Sequence, residues 1–97
     1  MRVLVIEDDD AIRSVVERGL RAEGFDVDAC TDGVAGLWKL LEGGYAAVVL
    51  DLLLPGMNGY KVCRTLREEG IGTPILMLTA KSGEYDEAEA LDTGADD

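Results

Sequence analysis

Acidic residues end two apolar runs in this sequence: Glu7 and Asp8 follow Val3-Leu4-Val5-Ile6, and Asp51 follows Ala46-Ala47-Val48-Val49-Leu50. Short apolar runs stopped by turn-type residues read as buried strands. In a parallel α/β sheet all strands present their carboxyl ends on one edge, so these groups converge although they lie far apart in sequence. Carboxylates gathered in this way repel one another and call for a cation; hard oxygen ligands with room for water suit Mg²⁺. A carboxylate held beside such an ion can act as a nucleophile toward a phosphoryl group, because the metal offsets charge on both reactants. Thr79, which ends a further apolar run, adds a hydroxyl able to hydrogen-bond a phosphoryl group once attached. Each residue also has a purely structural reading. Glu7 to Asp10 can serve as a helix cap, Asp51 as a turn residue before Pro55, and Thr79 as an ordinary β-branched residue before a helix. Only their joint placement favours chemistry.

The elements that position this set can be read along the chain. A strand over residues 2–6 leads into a helix capped by Asp9 or Asp10, with Ile12, Val15, Val16 and Leu20 as its apolar stripe and Gly24 as its stop. Phe25, Val27 and Ala29 alternate with Asp26 and Asp28, the pattern of a strand at a sheet edge. Thr31 or Asp32 caps a second helix that runs to about Glu42, with Val34, Leu37, Trp38 and Leu41 expected on its packed face and Gly43-Gly44 ending it. Residues 46–51 form the most apolar strand, as expected where helices cover both faces. Leu52-Leu53-Leu54 opens a loop carrying Pro55-Gly56 and Asn58-Gly59, where the leucines either cover the pocket or pack under the next helix. That helix carries Tyr60, Cys63, Leu66 and Arg67. A fourth strand is expected over residues 74–79, and a fourth helix, capped by Ser82 and thinly apolar, over residues 84–92. The order βαβαβαβα requires right-handed crossovers and a parallel sheet with helices on both faces.

Composition narrows the function classes. Ninety-seven residues, 47% of them hydrophobic and 30% charged, make one domain folded around one core. A net charge of −11 with no histidine disfavours direct binding to nucleic acid or an anionic membrane. No signal-peptide core or membrane-length apolar run is present, so a cytoplasmic protein is expected. Cys30 and Cys63 lack metal-site spacing and are expected to be buried thiols.

The motifs Val3-Leu-Val-Ile-Glu7-Asp8-Asp9, Val48-Val-Leu-Asp51-Leu-Leu-Leu-Pro55-Gly-Met-Asn-Gly59, Pro74-Ile-Leu-Met-Leu-Thr79-Ala80-Lys81 and Gly94-Ala95-Asp96-Asp97 resemble the receiver domain of two-component response regulators, most closely the OmpR/PhoB type. The resemblance covers the whole chain and implies a flavodoxin-like three-layer αβα sandwich with strand order 2-1-3-4. It implies that Asp51 accepts a phosphoryl group from a phosphohistidine of a sensor histidine kinase. Glu7, directly or through water, Asp8, Asp51 and the backbone carbonyl of Leu53 would hold Mg²⁺, with Mn²⁺ as a substitute. Thr79 would be the switch hydroxyl, the Ala80 backbone N–H would lie near the phosphoryl oxygens, and Leu53 and Lys81 would tune hydrolysis. The output would be transcriptional, through a downstream winged-helix DNA-binding domain. Such a domain assists its own phosphorylation and dephosphorylation rather than turning over a substrate as an enzyme.

In that family a Lys-Pro dipeptide, an aromatic switch residue, a fifth strand and a fifth helix follow. This sequence stops at Asp97, so a receiver domain over residues 1–97 is expected to be incomplete at its carboxyl end. The fourth strand would then be an apolar edge prone to homodimerisation, edge pairing or exchange of elements with a second copy. Three alternatives compete. A haloacid-dehalogenase-type phosphatase also uses a strand-end aspartate, but places a second one where Leu53 stands. A flavodoxin-like cofactor module needs a phosphate cradle that the acidic loop after the first strand lacks. A pseudo-receiver would bind partners without accepting phosphate.

Overall fold

The computed structural model describes residues 1–78. Four strands, β1 (Arg2–Ile6), β2 (Asp26–Cys30), β3 (Ala47–Asp51) and β4 (Ile75–Leu78), form one parallel sheet in the order β2-β1-β3-β4. Between them run α1 (Asp10–Ala22), α2 (Gly33–Glu42) and α3 (Gly59–Glu68). The expected order and the edge position of β2 are therefore observed. The fourth helix and Thr79, Ala80 and Lys81 lie outside the described residues.

Successive residues of a strand face opposite sides of the sheet, which explains why β1 and β3 are apolar throughout. Leu4, Ile6, Val48, Leu50 and Ile75 pack on one side with Leu37, Leu40, Val62, Cys63 and Leu66, supplied by α2 and α3. Val3, Val5 and Val49 face the other side, against Val16 and Leu20 of α1 and against Phe25, Val27 and Ala29. The alternation in β2 thus marks one face turned inward, as expected for an edge strand.

Each helix begins with a side-chain cap. Asp9, Asp32 and Asn58 accept hydrogen bonds from the backbone N–H of Ile12, Ala35 and Lys61 at 2.9, 2.8 and 2.9 Å. Such caps satisfy donors that the first helical turn leaves without partners. Two expected apolar faces differ from those observed. In α2 the buried residues are Gly33, Gly36, Leu37 and Leu40, whereas Val34 and Leu41 are exposed and Trp38 is 66% exposed. The helix sits on its glycines: a Cβ on Gly36 would lie 2.3 Å from Ile6 Cδ1, and one on Gly33 only 1.8 Å from the Met57 carbonyl oxygen. Close backbone approach, rather than side-chain size, selects the face. In α1 no residue is fully buried, and Val15 projects outward beside a groove lined by Ala11, Ile12 and Val16.

At the amino-terminal edge of the sheet, Arg2 stacks on the Tyr45 ring and pairs with Asp28, and the Tyr45 hydroxyl donates to Asp28 at 2.7 Å. Both hydrogen bonds hold the Asp28 carboxyl below its usual range, the one from Tyr45 foremost. This cluster fastens β2 to the centre of the sheet at the end opposite the acidic residues.

Candidate functional site

The register between β1 and β3 pairs Ile6 with Leu50. The next residues, Glu7 and Asp51, consequently leave adjacent strands at the same edge. Glu7, Asp8 and Asp51 each bring one carboxylate oxygen into a group whose members all lie within 4.8 Å of one another. Glu7 is 2% exposed, Asp51 is half-buried and Asp8 is open to solvent. The three carboxylates therefore form a pocket with a buried floor and one accessible side.

Backbone groups hold this arrangement. The Glu7 N–H donates to the Cys30 carbonyl at 3.1 Å, tying the turn after β1 to the end of β2. The Glu7 carboxylate accepts from the Asp9 N–H at 3.2 Å, and Asp51 Oδ1 faces the Leu53 N–H at 3.5 Å. A closer restraint acts on Asp51 through its main chain. A Cβ on Gly59 would lie 2.4 Å from the Asp51 carbonyl oxygen, so the start of α3 rests directly on the end of β3. Leu52 is buried and Leu54 packs against the core. These two leucines thus follow the packing alternative rather than covering the pocket. β4 pairs its Leu78 with Asp51, one residue before Thr79.

Burial raises the Glu7 carboxyl to about 7; the Asp9 N–H opposes that rise, while Asp51 and Asp8 reinforce it. Among the described residues, the ion pairs Arg2–Asp28, Arg13–Asp10 and Arg21–Glu17 lie outside the trio. Clustered carboxylates suit a small divalent cation, and all three offer the hard oxygen donors that Mg²⁺ prefers. The residues present therefore fit the ion. Glu7, Asp8 and Asp51 would hold it, with Asp8 on the side open to solvent.

Two features escaped the sequence reading. Arg13 reaches back to the Glu7 carbonyl with Nη1 at 3.0 Å, and Gly59 sets the position of Asp51. The spacing of Arg13, one helical turn after the cap Asp9, was the only available signal. Cys30, expected to be buried, is partly so, and burial pushes its thiol up to about 11.

The model of the response regulator receiver domain family matches residues 3–97. The transcriptional regulatory protein DltR of Streptococcus agalactiae is 45% identical over 97 residues, which are all of this chain and 43% of DltR. The chain thus spans less than half the length of that relative. The receiver domain of the Francisella response regulator 1452 superposes with a TM-score of 0.92 at 29% identity, covering 99% of this chain and 79% of the other. The receiver domain of the Pseudomonas aeruginosa sensor histidine kinase PA1611, with a magnesium ion coordinated in its active site cleft, superposes with a TM-score of 0.88 at 32% identity, covering 99% and 80%. A parallel sheet ordered 2-1-3-4 and a family match over almost every residue agree: this chain belongs to the response regulator receiver domains of bacterial two-component systems.

Proposed function

We propose that Asp51 is the phosphoacceptor of this receiver, taking a phosphoryl group from a phosphohistidine of a sensor histidine kinase. The observation that carries this reading is the convergence of Glu7 and Asp8 on a half-buried Asp51 at the end of β3. An Asp51 carboxylate oxygen forms a bond to phosphorus, the phosphorus–nitrogen bond to histidine breaks, and the imidazole keeps the electron pair. Mg²⁺, when bound, offsets the negative charge of both reactants. Glu7, Asp8 and Asp51 would supply its carboxylates, with the Leu53 carbonyl as a further ligand. By the resemblance of their motif to the family, Thr79 would be the switch hydroxyl and the Ala80 N–H would be a donor to the phosphoryl oxygens. Residues 1–97 act as one phosphoacceptor domain, located in the cytoplasm, whose state controls a DNA-binding transcriptional output. The transcriptional names of relatives such as DltR support that last step.

Incubation with acetyl phosphate and Mg²⁺, followed by intact-mass measurement, tests the reading. The expected result is a base-labile adduct of one phosphoryl group that is absent in Asp51→Asn and without Mg²⁺. An adduct that persists in Asp51→Asn overturns it.

A further inference from the structure

We infer that Arg13 is a positioning residue for the acidic pocket, fixing the main chain of Glu7 so that Glu7 and Asp8 present their carboxylates to a divalent cation. The inference rests on the reading of Glu7, Asp8 and Asp51 as a cation site.

Four hydrogen bonds lace the turn from β1 into α1, three of them forming a ring through Glu7, Asp9 and Arg13. The Glu7 carboxylate accepts from the Asp9 N–H at 3.2 Å, and the Asp9 carboxylate accepts from the Ile12 N–H at 2.9 Å. The Asp9 carbonyl accepts from the Arg13 N–H at 2.9 Å, and Arg13 Nη1 returns to the Glu7 carbonyl at 3.0 Å. The last bond closes the ring. Without it the Glu7 peptide, which lies beyond the last register pair of β1, is held among the described residues from its N–H side, by Cys30.

The burial of Arg13 supports this role. Its side chain is 18% exposed, while its ion-pair partner Asp10 is 90% exposed. An exposed pair at this spacing contributes little on its own. The fork geometry of the guanidinium lets one nitrogen hold Asp10 while another holds the Glu7 carbonyl, a task that a simple charge does not require. Groups that orient ligands without touching the metal commonly set affinity by tenfold or more.

Electrostatics and positioning predict opposite signs. A nearby cation repels Mg²⁺, so if charge alone matters, removing Arg13 tightens binding. Positioning predicts weaker binding. Mg²⁺ titration by calorimetry at neutral pH, far below the melting temperature, compares the wild type with Arg13→Met, Arg13→Lys and Asp8→Ala. Methionine keeps the stem packed but removes both the donor and the charge, and is expected to weaken Mg²⁺ about tenfold. Lysine retains a donor for the Glu7 carbonyl and is expected to restore affinity to within about threefold of the wild type. That rescue would not accompany a general loss of stability. Unchanged or tighter binding in Arg13→Met overturns the inference, as does a loss of about tenfold in Arg13→Lys. A wild type that binds no Mg²⁺, or binding that survives Asp8→Ala unaltered, refutes the cation site itself. Wild-type binding that survives only Arg13→Met refutes the positioning role alone.

Discussion

Replacing Glu7 by glutamine should make the metal-free protein more stable above neutral pH while weakening its hold on Mg²⁺. The Glu7 carboxyl lies at about 7 in the folded protein against an ordinary 4.5, because it is buried and faces Asp51 and Asp8. A folded-state value raised above the unfolded one means that the folded protein binds more protons between the two. Stability is therefore greatest below about 4.5 in this respect and falls as pH rises through about 7. The difference corresponds to roughly 3 kcal/mol once Glu7 is fully ionised, an upper figure because its neighbours share the titration. Glutamine retains an oxygen for the Asp9 N–H and carries no charge, so the variant should lack this loss. Urea denaturation with a chelator at several pH values between 5 and 8.5 measures both proteins. The rising repulsion of an acidic chain is common to both and cancels in the difference. A wild-type-minus-variant stability that does not change with pH would refute the reasoning. Saturating Mg²⁺ should reverse the ranking, since binding to the folded state stabilises by mass action and the variant has one ligand charge fewer.

Other expectations follow from packing. Gly59→Ala should destabilise by about 1–3 kcal/mol and weaken Mg²⁺ binding as well, because its Cβ meets the Asp51 carbonyl; calorimetry and urea melts together check this. Trp38, the only tryptophan, is exposed in the folded protein and should be readily quenched by acrylamide, and Trp38→Gln should change stability by less than about 0.5 kcal/mol.

The site was readable where chemistry and pattern coincide. Glu7 and Asp51 stand at the ends of apolar runs, and the side-chain period of a strand, with helices on both faces, explains why those runs are continuous. The capping residues Asp9 and Asp32 mark helix starts by their own hydrogen-bonding ability, while Asn58, read only as part of a turn, caps α3. The face of α2 was not readable, because Gly33 and Gly36 carry no hydrophobic signal yet make its closest contacts. Trp38 drew attention by size and lies outside. The leucines after Asp51 have no periodicity, so only the structure separates the buried Leu52 from the half-exposed Leu53. Arg13 binds a carbonyl, a group that every residue possesses, and no partner residue type betrays it.

The span from Asp51 to Gly59 is held at both ends and in the middle. Gly59 donates its N–H to the Leu52 carbonyl at 2.9 Å, and the Gly33 N–H reaches the Pro55 carbonyl at 3.2 Å. Surface loops ordinarily absorb added residues at little cost. Here an inserted residue would have to lift α3 from the end of β3 or α2 from the loop. Between Asp51 and Gly59 the length of the segment acts as a ruler.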